Sequence, residues 1–279
     1  MDDSDGAPGQ TDASRADADP NSPDANANSA DAMPAPDGGP VPLTESGQFA
    51  RTDPCALGHD QSTLLLWSFR CNVSGLTSHT EAGAAGATIS HPGETTDHLD
   101  IDFATSAFTL GTTLVAVGTM LVINGETGAT EIYAVDKTGA AATSTLATDF
   151  GNSHVIGGAL HNQRGTIFLV QDSSGGAGAN IVAEINTVTG AVINSFSIAA
   201  DFSVFYGEID VCQSSGHLFL ASSTESAIAE YTPDGVYIAE HSLPGTVAGV
   251  TGLAMEASGV AWVSDRAGNI SKLTGMPCP

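Results

Sequence analysis

A strand-rich unit recurs in this chain every 43 to 51 residues, and this repeat constrains the fold more than any other feature of the sequence. In each copy a glycine opens a strand, and a large apolar residue follows three positions later. Repeats of about 40–50 residues with several strands each are typical of propeller blades. The spacing therefore predicts a fold built from stacked copies of one small sheet. The glycines are Gly118, Gly165, Gly216 and Gly259, and the apolar residues are Leu121, Phe168, Phe219 and Trp262.

A second apolar pair marks the next strand of each copy, and a turn follows it. One copy exposes an apolar face that only its neighbours can bury, so the copies must stack. The sequence predicts an all-β fold, a β-propeller of four-stranded blades, with four clear blades and five or six in total. A β-sandwich with similar hairpins is the alternative. The pairs are Ile132/Val135, Val182/Ile185, Ile228/Tyr231 and Ile270/Leu273.

The first 48 residues are built mainly from Asp, Ala, Pro, Ser, Asn and Gly. With so little apolar surface to bury, such a segment cannot offset the entropy lost on ordering. We predict a disordered acidic tail over 1–48, removable without loss of thermal stability, and a propeller domain over 49–279. The tail resembles the acidic, Ala/Pro-rich tethers of bacterial surface proteins, which implies a spacer. A solvated tail with no specific role is the alternative.

The charge of the chain limits its partners. Seven Lys and Arg stand against 32 Asp and Glu, for a formal net charge of −25, and the region after residue 50 keeps 22 acids and six bases. Phosphate binding requires clustered Lys and Arg, so this balance argues against nucleic acid and against an anionic membrane surface. No apolar run reaches the length of a transmembrane helix, and no signal peptide is visible.

Two stretches, VAEINTVTGAVINSF (182–196) and GLAMEASGVAWVSDRAGNISKL (252–273), resemble the repeats of a propeller superfamily. That superfamily includes NHL-type, YVTN-type and SMP-30/gluconolactonase-like proteins. The resemblance covers residues 97–275 and implies the architecture, because such propellers host enzymes, sensors and scaffolds alike. The sequence contexts of the metal ligands in the lactonases do not appear here, nor do the His and Glu motifs of streptogramin-lyase-type propellers. No catalytic residue is therefore carried over.

Two short acidic motifs are the best candidates for a site. Asp100 and Asp102 share one face of a predicted inner strand, as do Glu208 and Asp210 of another, because residues i and i+2 of a strand point the same way. His161 ends a comparable strand in the blade between them. Together they predict a site for Ca²⁺ or another hard cation, which prefers oxygen ligands. Acids that simply face solvent are the alternative.

Closure of the ring is expected to involve both chain ends, because the first and last blades must be held together. The last blade lacks an outermost strand after Leu273, and the apolar segment Leu64–Phe69 is the predicted donor. Antiparallel pairing beside Ile270–Leu273 would bring Cys55 close to Cys278, so we predict a Cys55–Cys278 disulfide. Such a bond implies an oxidising compartment, and hence an extracellular, periplasmic or cell-surface location. Four free thiols in a cytoplasmic protein are the alternative.

Two functions remain open at this point. The favoured one is a secreted or surface-tethered propeller that binds an unidentified protein or small-molecule ligand without catalysis. The other is a metal-dependent hydrolase or lactonase of the SMP-30/gluconolactonase-like type. Convergence of three or more carboxylates at metal-binding distance would favour the enzyme.

Overall fold

The computed structural model describes residues 42–92, 98–125, 130–138, 142–151, 153–174 and 180–278. These residues form strands and turns, and none of them lies in a helix that could cross a membrane. Five four-stranded antiparallel sheets are present, and each is one blade of a β-propeller. The predicted all-β propeller is thus confirmed, with five blades.

Each blade runs from an inner to an outer strand. Blade 1 contains β2 (Pro54–Asp60), β3 (Leu65–Arg70), β4 (Val73–Thr80) and β5 (Ala85–Ile89). Blade 2 contains β6 (Asp100–Phe103), β9 (Met120–Asn124), β10 (Glu131–Val135) and β11 (Ala142–Ala147), with an inserted hairpin of β7 (Phe108–Leu110) and β8 (Thr113–Val115). Blade 3 contains β12 (Val155–His161), β13 (Thr166–Gln171), β14 (Ile181–Asn186) and β15 (Val192–Ser197). Blade 4 contains β16 (Ile209–Val211), β17 (Leu218–Leu220), β18 (Ala227–Tyr231) and β19 (Tyr237–Ser242). Blade 5 contains β20 (Val250–Met255), β21 (Val260–Asp265), β22 (Asn269–Thr274) and β1 (Thr44–Ala50).

The five inner strands β2, β6, β12, β16 and β20 contact one another in a ring around the central axis. Backbones approach closely at this ring, which leaves no space for side chains at some positions. A Cβ atom on Gly58 of β2 would lie 2.5 Å from the carbonyl oxygen of Ile101 in the next blade. The centre of the propeller is therefore narrow, and the wider spaces lie at its two ends.

The repeat glycines occupy the turn before the second strand of their blades. Their φ angles lie between 67° and 77°, in the left-handed region that favours glycine, and the four apolar residues that follow are buried. Blade 1 follows the same rule with a different residue. Leu64 takes a φ of 56° at the equivalent turn, and Trp67 is buried three positions later. The absence of a glycine there explains why blade 1 was not one of the four clear copies in the sequence pattern.

The outermost strand of blade 5 is β1, which comes from the N-terminal side of the fold. It pairs antiparallel with β22, with Thr44 opposite Thr274 and Phe49 opposite Ile270. The predicted donor, Leu64–Phe69, is wrong, because nearly all of it lies in β3 of blade 1. β1 has the sequence TESGQFA, and its side chains are exposed or partly buried. An outermost strand needs few apolar residues, so hydropathy did not mark it.

The propeller domain consequently begins earlier than predicted. Leu43 is buried and its N–H donates to the carbonyl of Ser242 (3.0 Å), and residues 44–48 belong to β1. The predicted boundary between 48 and 49 is therefore wrong. The rest of the predicted tail, residues 1–41, lies outside the described residues.

The four cysteines form two disulfides, and the predicted Cys55–Cys278 pairing is wrong. Cys55 bonds to Cys71 within blade 1, and Cys212 of blade 4 bonds to Cys278. The prediction failed because it placed β3 beside β22, whereas β1 occupies that position. After β22 the chain turns back under blade 5, where the N–H of Met276 donates to the carbonyl of Gly259 (3.2 Å). This path carries Cys278 to the neighbouring blade 4.

Candidate functional site

The structure brings together four of the five residues predicted to bind a cation. Asp100 and Asp102 on β6 and Asp210 on β16 face the central axis with Glu208, which precedes β16. Asp100 and Glu208 are buried, while Asp102 and Asp210 are partly buried beside a narrow cavity. Their carboxylates accept N–H groups from other blades and so tie the inner strands together. The donors are Gly158 to Asp100 (2.7 Å), Leu160 to Asp102 (2.7 Å), Leu57 (3.3 Å) and Leu253 to Glu208, and Met255 to Asp210 (2.6 Å).

These acids hold protons more tightly than acids in water do. Burial raises the pKa of Asp100 to about 7 and that of Asp102 to about 6, because the charged form loses its hydration. Burial raises the pKa values of Glu208 and Asp210 well above the usual range, and the negative charges of Asp100 and Asp102 add to this effect. Asp100 and Glu208 are also hydrogen-bonded to each other, which requires a proton on one of them. A carboxyl pair of this kind can share one proton.

His161 does not join the four acids. Its Nε2 lies 3.0 Å from the carbonyl oxygen of Gly216 in blade 4, and its Nδ1 accepts the N–H of Arg164 (3.3 Å). The ring also packs against Phe168 at 5.7 Å between centroids. Both ring nitrogens are thus engaged, Nε2 with blade 4 and Nδ1 with the turn that follows β12 in blade 3.

The cation hypothesis for the acids stays a prediction with a direct test. If Ca²⁺ binds among them, adding it to chelator-treated protein should raise the melting temperature, since a ligand that binds only the folded state stabilises it. Asp210→Asn should abolish this rise, and Asp201→Asn, at an exposed acid, should not. A melting temperature that does not respond to Ca²⁺ would contradict the cation hypothesis and leave the acids with the structural role of binding backbone N–H groups of neighbouring blades.

A larger cavity of about 360 Å³ lies at the end of the channel where the inner strands begin. We call it the entrance pocket. Residues from blades 1 and 5 and from the loops that precede blades 2 and 4 form its wall, so several blades build it jointly. Its lining residues are Asp53, Pro54, Cys55, Cys71, Asn72, His98, Tyr206, Thr251 and Arg266.

An aromatic pair, Phe205 and Tyr206, is held rigidly at one side of the entrance pocket. The N–H of Tyr206 donates to the buried carboxylate of Asp172 (3.3 Å), and the N–H of Phe205 donates to the hydroxyl of Ser222 (3.0 Å). The hydroxyl of Ser223 donates to the carbonyl of Phe205 (2.6 Å). These bonds hold Tyr206 at a φ of 45°, a conformation that is uncommon for a bulky residue.

Two more residues of the pocket, Asp53 and Asn72, also have left-handed backbones, with φ angles of 44° and 57°. Such conformations cost free energy and persist where the surrounding structure enforces them, often at functional sites. The N–H of Cys71 donates to the carbonyl of Asp53 (3.2 Å), and the Cys55–Cys71 disulfide joins the same two segments. The entrance pocket is therefore built from backbone segments that several contacts fix in place.

Arg266, in the turn between β21 and β22, brings positive charge to the entrance pocket. Its guanidinium carbon lies 5.5 Å from the ring centroid of Tyr206 and 6.0 Å from that of Phe205, which are cation–π distances. The side chain belongs to an exposed residue, and no described carboxylate lies within ion-pair distance of it. Four of the other basic residues of the domain do contact carboxylates. They are Arg70, Lys137, Arg164 and Lys272.

Sequence reasoning missed the entrance pocket because no local motif encodes it. Its residues come from separate loops, and their neighbourhood depends on the order of the blades. One signal was available, since positive charge is scarce in this chain. The domain has six basic residues against 22 acids after residue 50, so each base that is not needed for an ion pair is a candidate for ligand binding.

No family model and no curated protein matches the sequence. Among solved structures the chain is similar to a glutaminyl cyclase from Myxococcus xanthus, with a TM-score of 0.57 and 10% identity over 84% of this chain and 97% of that one. It is also similar to a gluconolactonase from Xanthomonas campestris, with a TM-score of 0.53 and 11% identity over 87% of this chain and 99% of that one. For a luciferin-regenerating enzyme the values are 0.50 and 13%, over 86% and 96%. At these identities the likeness shows the propeller fold alone, and the predicted superfamily resemblance is supported at that level.

Proposed function

We propose that this propeller is a non-catalytic binding module that holds a small anionic ligand, such as a carboxylate, in the entrance pocket. The observation that carries the proposal is Arg266, an exposed cation that has no described carboxylate partner in a strongly acidic domain. Its guanidinium offers paired N–H donors that match a carboxylate or phosphate group. The pocket volume of about 360 Å³ lies within the range of small-molecule sites.

The surroundings of Arg266 favour a preorganised site. The guanidinium lies over Tyr206, and the contacts of Asp172, Ser222 and Ser223 fix the aromatic pair beneath it. An arginine that stacks on a fixed ring loses less side-chain entropy on binding than a free one does. Asn72 adds an exposed amide on the rim, which can both donate to and accept from a ligand.

A metal-dependent hydrolase is the second candidate. Among the described residues of the entrance pocket, no three metal-ligating side chains bring their ligand atoms within 4.8 Å of one another. The fold similarity to a gluconolactonase keeps this class open. Turnover of simple lactones with added divalent metal ions would support it over a binding module.

We further propose that the protein works in an oxidising compartment, at a cell surface or outside the cell. The two disulfides support this location, because disulfides are rare in cytosolic proteins. Non-reducing peptide mapping of protein from its native source tests the point. Free thiol at Cys278 in such protein would contradict it.

Arg266→Ala should abolish binding of anionic ligands without changing the fold. The arginine side chain is exposed and makes no described ion pair, so its loss should leave the melting temperature of the ligand-free protein within about 2 °C of the parent. A thermal-shift screen of small carboxylates and phosphate esters identifies binders, and calorimetry then compares the variants. Arg266→Lys should retain part of the affinity because it keeps the charge but not the paired donors.

Arg164→Ala is the matched control, since Arg164 pairs with Glu184 and Asp234 away from the pocket. It should bind the same ligands as the parent protein. Equal affinity of Arg266→Ala and the parent, or a screen in which only neutral or cationic compounds stabilise the protein, would contradict the proposed anion site.

A further inference from the structure

Three potential metal ligands converge at the end of the channel opposite the entrance pocket, on the seam between blades 1 and 5. His59 lies near the end of β2, Glu81 lies in the turn between β4 and β5, and Glu256 follows β20. His59 Nε2 is 3.7 Å from Glu81 Oε1 and 3.9 Å from Glu256 Oε1. Their ligand atoms all lie within 4.8 Å of one another, and this is the one group of its kind among the described residues.

The burial of His59 and its lack of hydrogen-bond partners indicate that a ligand binds between these three side chains. Its side chain is only 2% exposed, yet neither ring nitrogen has a hydrogen-bond partner in the described part of the chain. A buried polar atom without a partner destabilises the folded state. The distances of 3.7 and 3.9 Å are too long for hydrogen bonds from Nε2 to the two carboxylates. Two metal bonds of about 2.1 Å can join donor atoms up to about 4.2 Å apart.

We propose that His59, Glu81 and Glu256 bind a divalent transition-metal ion such as Zn²⁺, and that this ion clamps blade 1 to blade 5. One imidazole nitrogen and two carboxylate oxygens are ligands that Zn²⁺ accepts, with water in the fourth position. Blade 1 supplies two ligands and blade 5 supplies the third, so the ion would cross the seam where the ring closes.

The groups around the cluster suit this role. Trp262 Nε1 donates to Glu256 Oε1 (2.6 Å) and orients that carboxylate toward His59. Such outer contacts are typical of protein metal sites. Burial lowers the pKa of His59, against the opposing effect of the two carboxylates, which favours the neutral, ligating form of the ring.

Lys272 competes for the same carboxylates. Its Nζ lies 2.8 Å from Glu81 Oε2 and 3.7 Å from Glu256 Oε1, and it stacks on Trp262 at 4.8 Å. The ammonium contacts the two acids but does not satisfy His59. A metal ion would therefore have to share the carboxylates with Lys272 or displace it. Replacing Lys272 should accordingly strengthen metal binding, whereas replacing a ligand should weaken it.

Calorimetric titration of the chelator-treated full chain with ZnCl₂ tests the site. We expect one equivalent to bind and the melting temperature to rise. Glu81→Gln should weaken Zn²⁺ binding about tenfold or more, as should His59→Gln. Lys272→Met should strengthen it, because the competing charge is gone. Glu81 is partly exposed in a turn, so its variant should fold even if the His59 variant does not.

His217→Gln serves as the control for adventitious binding, since that histidine pairs with Glu230 in blade 4 (2.6 Å). It should bind Zn²⁺ as the parent does. The proposal fails if the parent protein binds no Zn²⁺, or if Glu81→Gln and the parent give the same isotherm. It also fails if His217→Gln removes the binding.

Discussion

A chain that begins at residue 42 should melt at the same temperature as the full chain, whereas a chain that begins at residue 51 should melt at least about 10 °C lower or fail to fold. The shorter chain loses β1, which pairs along all of β22. It also loses the buried side chain of Leu43 and the packing of Phe49. Burying a side chain of this size stabilises a fold by about 1.5–3 kcal/mol, and each kcal/mol shifts the melting temperature of a domain this large by about 2–4 °C.

The effect of losing β1 should exceed that of an ordinary outer strand because β1 connects two blades. Phe49 stacks on His79 of blade 1 at 5.7 Å, and it fills the space above Gly83, where a Cβ would lie 2.6 Å from its ring. Glu45 accepts hydrogen bonds from Ser271 (3.1 Å) and Thr246 (2.5 Å). Removal would expose the unpaired edge of β22, a template for aggregation.

Differential scanning calorimetry of the two truncated chains measures this difference. A chain that begins at residue 45, within β1, provides an intermediate case and should melt between them. Equal melting temperatures for the chains that begin at residues 42 and 51 would show that β1 does not close the ring in solution. The sequence alone predicted that residues up to 48 are dispensable, so the experiment separates the two views.

The melting temperature should fall as the pH rises from about 5 through 7, and the raised pKa values of Glu208 and Asp210 should extend this fall above pH 7. The pKa of Asp100 is about 7 in the folded state, and those of Glu208 and Asp210 are raised well above the usual range for a carboxyl group. Over this window the folded state binds protons that the unfolded chain has already released, so stability decreases with pH. Each such proton changes the free energy of unfolding by about 1.4 kcal/mol per pH unit.

In the acidic part of this window the slope should be shallower, because buried histidines act in the opposite direction. Burial lowers the pKa of His79 to about 4 and also lowers that of His161. The unfolded chain binds protons at these residues as the pH falls through about 6.5, whereas in the folded chain His161 binds its proton at a lower pH and His79 only near pH 4. Maximum stability is therefore expected in mildly acidic solution.

Asp210→Asn should reduce the alkaline slope and raise the melting temperature at pH 8.5 relative to the parent. The amide keeps an oxygen that can accept the N–H of Met255 but carries no charge to be buried. Asp201→Asn, at an exposed acid, should follow the parent curve. Parallel curves for Asp210→Asn and the parent would show that Asp210 does not titrate in this range.

The sequence predicted those strands of the fold whose side chains are buried. The glycine turns and the apolar residues after them were visible because the same φ and the same burial are required in blades 2 to 5. Blade 1 was indicated only as a divergent fifth copy because Leu64 replaces the glycine, and β1 was missed because an outer strand can be polar. The disulfide prediction failed as a consequence of the second omission.

Some features of the candidate sites could likewise be predicted from the sequence, and others could not. The two-residue spacing of Asp100 and Asp102, and of Glu208 and Asp210, correctly indicated side chains on one face of each inner segment. Their hydrogen bonds to backbone N–H groups depend on how far each blade is displaced from the next, which no local pattern specifies. Arg266 could not be placed in the pocket from the sequence because its aromatic partners lie about 60 residues away, in the loop that precedes blade 4.

The pairing of β1 with β22 also makes the blade order circular. Leu43 packs in the same apolar cluster as Met276 and Cys278, so the two ends of the described fold meet. The propeller thus has no structurally required first residue, and a circular permutant is compatible with all five blades. New termini could be placed at the turn around Gly165, where a Cβ would meet nothing within 4 Å. A short linker would then join residue 278 to residue 42, the two ends of the described fold. In such a chain β1 would follow β22 directly, and blade 5 would form from consecutive strands.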